Sequence, residues 1–225
     1  MKSFDNTIDV GWMTFPPDLT LETLINIDLL PSGFREELKR FKRPEDRIAK
    51  LLSRLLLLRL LGHPTLRLGV LEQIELDQYK RPFLPGGPDF NLSHTEGMVG
   101  IAVSKVGRIG IDLERVREVP IEELREAFTD GEWEKLQTET DPYRQLYTIW
   151  TRKEAVIKAD GGALLRWNPA TFPAGEGPHT HLGQRKYYLT QLELMTGYCG
   201  WVASEHHDVK LNIRRFHVED ILPDL

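Results

Sequence analysis

The clearest periodicity in the chain lies between Pro44 and Gly62, where Ile48, Leu51, Leu52, Leu55 and Leu58 recur at the spacing of one helix face. Pro44 suits a first helical position, Glu45 and Asp46 suit a first turn, and Gly62 before Pro64 ends the element. Arg47, Lys50 and Arg54 form a separate stripe, either a solvated face or one that receives an anion. From Gly62 to Asp89 the pattern becomes extended and Pro/Gly-rich, so it reads as loop. Met98 to Ser104 and Arg108 to Leu113 are short Val/Ile-rich strands around Lys105-Val106-Gly107, which predicts a hairpin. Glu122 to Leu136 and Tyr143 to Ala159 read as helices, the second stopped by Gly161-Gly162. Tyr187 to Leu194, Tyr198 to Ser204 and Lys210 to Phe216 read as antiparallel strands. This order of helix, strands, helices and strands predicts an α+β fold and excludes a doubly wound sheet.

With 225 residues and 40% hydrophobic content, the chain can bury a core as one large or two small domains. The apolar run Leu51 to Leu61 is interrupted by Ser53, Arg54 and Arg59, short of the about 18 residues of a membrane span. Met1 to Asp9 lacks the apolar centre of a signal peptide, so a soluble cytoplasmic monomer is expected, with no membrane partner. The single cysteine, Cys199, sits in an apolar run and reads as a small core residue rather than a nucleophile. His179/His181 and His206/His207 fall in polar, turn-like segments and do not suggest histidine-bound metal. A net charge of −5 argues against nucleic acid as a partner. Charge is nevertheless segregated: Arg35 to Arg59 holds nine Lys and Arg against four acids, whereas Glu118 to Asp141 holds nine acids against two bases. One face is therefore expected to receive an anion.

Three segments carry polar residues that packing alone does not require. In Phe90-Asn-Leu-Ser-His-Thr95, Ser93 and His94 offer a hydroxyl and an imidazole as hydrogen-bond donors, although the same residues also make an ordinary polar turn. In Ile109-Gly-Ile-Asp-Leu-Glu114, Asp112 and Glu114 lie two apart on a strand and project from one face. Neighbouring carboxylates repel unless a cation lies between them, and hard oxygen donors suit Mg²⁺. In Trp150-Thr-Arg-Lys-Glu-Ala-Val-Ile-Lys158, Trp150, Glu154 and Lys158 share a helix face. That face is either a surface ion pair or a third carboxylate with a phosphate-binding cation.

Taken together, and in this order, the three segments resemble the signatures of the surfactin-type 4′-phosphopantetheinyl transferases. The resemblance extends to Lys80-Arg-Pro82, to Phe41-Lys-Arg-Pro-Glu-Asp-Arg47 and to Phe128-Thr-Asp-Gly-Glu-Trp133, covering about residues 35 to 165. Thr95 stands where the family more often has Ser, and Arg81 where Lys is frequent.

The resemblance implies a pseudo-two-fold pair of similar α+β halves, residues 1–105 and 106–225, each a small antiparallel sheet packed on helices. It implies coenzyme A and Mg²⁺ in the cleft between them. It also implies an activity of the holo-acyl-carrier-protein synthase type: transfer of phosphopantetheine to a serine of an apo acyl, polyketide or peptidyl carrier protein, releasing 3′,5′-ADP. Asp112, Glu114 and Glu154 would hold Mg²⁺, Lys158 and Arg81 would contact phosphate oxygens, and Ser93 and His94, aided by Arg47, would bind the 3′-phosphate. Glu132 would be the general base or position a water, acting beside Lys158 and Glu154. The rival classes are a non-catalytic carrier-binding module, against which the retained carboxylates argue, and another magnesium enzyme of nucleotides. For the latter neither a phosphate-binding loop nor a dinucleotide fingerprint is found in the sequence.

Overall fold

The computed structural model describes residues 6–62, 67–161, 175 and 177–222. In chain order these form β1 (Thr7–Thr14), α1 (Leu21–Leu24), α2 (Ser32–Lys39), α3 (Pro44–Leu60), β2 (Glu75–Leu76), β3 (Pro82–Phe83), β4 (Asp89–Thr95) and β5 (Met98–Ser104). They continue as β6 (Ile109–Arg115), α4 (Asp130–Thr138), α5 (Pro142–Asp160), β7 (His179–Leu182), β8 (Arg185–Gln191), β9 (Tyr198–Ser204), β10 (Lys210–Arg215) and α6 (Val218–Ile221). The architecture is α+β, with a long helix over a four-stranded sheet in each of two compact units.

The first unit comprises Met1–Val106 and Val209–Leu225, and its sheet has the order β10-β1-β5-β4. Helix α3 begins at Pro44 as expected and buries Ile48, Leu51, Leu52, Leu55 and Leu58 against Met13, Phe90, Val99, Ile101 and Val103. The sheet can approach closely because Gly11 lacks a Cβ, which would otherwise stand 3.2 Å from the methyls of both Leu56 and Leu60. The basic stripe is not simply solvated, since Arg54 is 4% exposed and Lys50 is half-buried on Glu37.

The expected hairpin of residues 98–104 with 108–113 does not form. Both edges of β5 are occupied by antiparallel neighbours, β1 on one side and β4 on the other, so β6 pairs with β9 instead. The hairpin is β4-β5, turned at Glu96-Gly97, where Gly97 takes a φ of 73°. The sequence pattern also missed β1, as well as β7, which carries His179 and His181 on a strand and not in a turn.

The second unit, Gly107–Asp208, has the sheet order β6-β9-β8-β7. Assigning all of 106–225 to a C-terminal half overlooks β10, which pairs parallel to β1 and so belongs with the first unit. The strands expected at 187–194 and 198–204 are present, antiparallel to one another. The expected helix 122–136 is interrupted: a 3₁₀ segment, Ile121–Ala127, ends before Phe128, and Thr129 starts α4 with a capping box to Glu132. Helix α5 spans the predicted stretch and ends at Gly161 in the left-handed region, φ 74°. Gly162, like Pro64 after α3, lies outside the described residues. Cys199 is a buried core residue, and burial raises its thiol pKa above the ordinary value.

Candidate active site

Helix α5 lies on the face of β6 that carries Gly110, Asp112 and Glu114. Gly110 permits this, since a Cβ there would stand 2.0 Å from the Ala155 carbonyl and 2.5 Å from the Ala159 nitrogen. Around the helix, residues 151–153 and 155–157 are buried, while Trp150, Glu154 and Lys158 are each only half-buried. These three therefore form the accessible seam of the C-terminal half of α5. They are not a free surface stripe.

At that seam Lys158 Nζ meets Asp112 Oδ1 at 2.6 Å, with the Asp112 side chain 6% exposed and that of Lys158 27%. Burial pushes the Glu154 carboxyl above its ordinary pKa, the nearby Asp112 charge pushes it further, and Lys158 draws it back. Asp112, Glu154 and Lys158 thus interact as a group, with Glu114 half-buried two residues along the same strand face. The donor set suits a hard divalent cation, because the repulsion that Asp112 exerts on Glu154 is relieved by one. Among the described residues no three acidic, His or Cys groups converge as a complete metal cage, so Asp112, Glu114 and Glu154 do not form one on their own. Mg²⁺ commonly takes one or two carboxylates and completes its shell with water and substrate phosphate.

Glu132 is placed differently. Its Oε2 accepts from Lys153 Nζ at 2.6 Å and from the Thr129 backbone N–H at 2.9 Å. Lys153 is 1% exposed; burial lowers its ammonium pKa, and Glu132 opposes that shift. Lys153 also donates to the Ala127 carbonyl at 3.0 Å. Glu132 therefore caps α4 and holds a buried lysine. The sequence reading missed Lys153, although two adjacent cations, Arg152 and Lys153, inside an apolar helix pattern were a usable signal.

In the first unit, Arg81 is buried and its guanidinium forks onto Asp89, with both bonds at 2.8 Å. On β4, Ser93 and His94 point to opposite faces, as successive strand residues must. Ser93 is buried on the face shared with Asp89, whereas exposed His94 follows Phe90 and Leu92 on the face that packs with α3. Arg47, on α3, donates from Nε to the Phe41 carbonyl at 2.8 Å. The expectation that Ser93 and His94 grip one phosphate from a turn thus meets a strand that separates their side chains.

A family model for the 4′-phosphopantetheinyl transferase superfamily matches residues 108–210, which include Asp112, Glu114, Glu132, Glu154 and Lys158. Escherichia coli O157:H7 AcpT, a 4′-phosphopantetheinyl transferase, is 34% identical over 142 residues, 60% of this chain and 67% of that protein. The chain belongs to the 4′-phosphopantetheinyl transferase superfamily. Bacillus subtilis Sfp, another 4′-phosphopantetheinyl transferase, is 26% identical over 84% of this chain and 88% of its own length. For gsp of Aneurinibacillus migulanus, 31% identical, the match spans 39% of this chain and only 38% of that transferase. Of the signatures that first suggested the transferase family, those on β6, α4 and α5 fall within the matched region, whereas Phe90–Thr95 on β4, Lys80-Arg-Pro82 and Phe41–Arg47 precede it.

Proposed function

We propose that the chain transfers the 4′-phosphopantetheine arm of coenzyme A to a serine hydroxyl of an apo carrier protein, releasing 3′,5′-ADP. The observation that carries this reading is the group Asp112, Glu154 and Lys158, in which a helix cation sits on a buried strand carboxylate beside a second, desolvated carboxylate. In the reaction the serine oxygen bonds to the β-phosphorus, the bond from that phosphorus to the bridging oxygen breaks, and the electron pair leaves with 3′,5′-ADP. Asp112, Glu154 and Glu114 would hold Mg²⁺, which when bound neutralises charge on the pyrophosphate oxygens. Lys158 supplies a positive charge for the same oxygens as charge builds on the leaving group. The serine proton passes to Glu132 or to a water that Glu132 orients, which requires its carboxylate to exchange Lys153 for the incoming hydroxyl. In the first unit, His94 and Arg47 receive the 3′-phosphate; Ser93 faces the opposite side of β4, where Arg81 is engaged with Asp89, so neither joins them on that group.

The test is to mix the protein with coenzyme A, Mg²⁺ and apo carriers of the acyl, polyketide and peptidyl kinds, and to weigh each carrier. At least one should gain one phosphopantetheine, and none should without coenzyme A. Unchanged mass across the panel, from folded protein, would overturn the activity. For the 3′-phosphate assignment, His94→Ala should weaken coenzyme A more than its 3′-dephospho form.

A further inference from the structure

Gln145, Thr148, Ile149 and Arg152 recur at i, i+3, i+4 and i+7 along α5 and line a cavity of about 400 Å³ in the second unit. Arg152 and Glu154 are about 200° apart around the helix, so the cavity lies on the side away from the seam of Trp150, Glu154 and Lys158. Its other walls come from the first turns of α4, including Glu132 and Lys135, and from Trp201 on β9. Of the residues given roles in the transfer above, Glu132 alone borders this space; Asp112, Glu114, Glu154 and Lys158 do not line it.

The lining is rich in donors. Arg152 is 5% exposed, lies with its guanidinium carbon 4.2 Å from the Trp201 ring centroid, and donates to the Gly177 carbonyl at 2.7 Å. Trp201 is 9% exposed and, among the described residues, its buried indole N–H has no hydrogen-bond partner, an unusual condition for such a group. Lys135 adds a second cation. The acid in the wall, Glu132, already accepts from Lys153 and Thr129, so its charge is balanced from behind. Ile149 and the indole face supply apolar surface. Two cations, Arg152 and Lys135, beside apolar side chains call for an anion on an apolar body, and the volume is that of a small-molecule site.

We propose that this cavity is a second ligand site, apart from the seam of Asp112, Glu154 and Lys158 and bordered by Glu132, which takes an oxyanion carried on an apolar body. The oxyanion lies toward Arg152 and Lys135, and the body lies against Ile149 and Trp201. A carboxylate and a phosphate monoester both present that chemistry.

The full chain is titrated by calorimetry with octanoate, octyl phosphate and uncharged octan-1-ol, and tryptophan fluorescence is followed in parallel. At least one anion should bind at least about tenfold more tightly than octanol, and the tighter of the two identifies the headgroup. Lys135→Met, at a half-buried position where folding is not at stake, should erase much of that preference while leaving octanol unchanged. Arg152→Met should erase the remainder, and Trp201→Phe should weaken the anion while keeping the apolar wall. Equal affinity for octanol and both anions, no binding of any probe, or an unchanged preference in Lys135→Met and Arg152→Met would each overturn the site. The titration reads binding alone, so its failure leaves the transferase reading standing, and loss of carrier modification does not bear on it.

Discussion

Lys158, on the last turns of α5, holds Asp112 of β6 at 2.6 Å across the interface of helix and sheet. A strand carboxylate 6% exposed would be costly without a cation, and the helix supplies one four residues beyond Glu154. The same charge is placed to serve phosphate oxygens. The pair thus bears on both the burial of Asp112 and the chemistry proposed for the site.

Removing the cation should be felt twice. Lys158→Ala takes the cation away from buried Asp112, at a cost of about 1–3 kcal/mol once the partial exposure of Lys158 is discounted. It should also lower kcat by orders of magnitude, because the charge on the leaving group is left unbalanced. Urea unfolding and the carrier mass assay check the two effects separately; kcat within a few-fold of the parent would return Lys158 to a purely structural role. Asp112→Ala should abolish turnover at ordinary Mg²⁺ while the protein remains folded.

Glu154 should leave a signature in the dependence of stability on pH. A carboxyl whose pKa is raised on folding, here by burial and by Asp112, contributes stability that is complete below its unfolded pKa and is lost as pH rises through the folded value. In chelator-treated protein, Glu154→Gln stays neutral and should gain stability relative to the parent between about pH 4 and pH 7. Parallel unfolding profiles across that window would mean that Glu154 feels neither burial nor Asp112. Adding Mg²⁺ should stabilise the parent more than the variant.

Glu132 and Lys153 form a buried pair whose partners cannot be removed singly without cost. Glu132→Ala strands an ammonium that is 1% exposed and also removes a capping contact, for a loss of about 3–5 kcal/mol. Glu132→Leu combined with Lys153→Met should recover most of that stability, since both charges leave together. If the base assignment is right, the double variant stays inactive although folded. Activity near the parent's would confine Glu132 to capping and pairing.

Much of the site was legible in the sequence because its parts are local. Asp112 and Glu114 follow from strand alternation, Trp150, Glu154 and Lys158 from helical spacing, and α3 and α5 from apolar periodicity. The partnerships were not legible, because they are made across elements: nothing in the local pattern sets Lys158 on Asp112, Lys153 on Glu132 or Arg81 on Asp89. The hairpin was misassigned for a similar reason. Residues 98–104 and 109–115 are adjacent apolar strands, and only the pairing of β1 and β4 with both edges of β5 forces them apart. Likewise, no local signal shows that β10 returns to lie parallel to β1.

Gly110 sets the distance on which the site depends. A Cβ there would lie 2.0 Å from the Ala155 carbonyl oxygen and 2.5 Å from the Ala159 nitrogen, and both are backbone atoms with no rotamer to yield. Gly110→Ala therefore has to lift α5 away from β6. Ala155 and Ala159 then lose contact with the sheet, and Glu154 and Lys158, carried by the same turns, move off Asp112. Overpacking of this kind costs about 1–3 kcal/mol where side chains can adjust, and more where backbone must move, so a loss above about 3 kcal/mol is expected. Gly200→Ala provides the comparison in the same sheet. Its nearest obstacles, Leu113 Cδ2 at 2.6 Å and Leu194 Cδ1 at 2.8 Å, are side-chain ends that can turn aside, so it should be milder. Urea midpoints give the stabilities, and carrier mass at saturating Mg²⁺ gives the activity of whatever remains folded. Gly110→Ala should lose activity beyond its unfolded fraction, whereas Gly200→Ala should track it. Equal stability losses, or full activity in folded Gly110→Ala, would show that the spacing of α5 and β6 is not what holds Lys158 to Asp112.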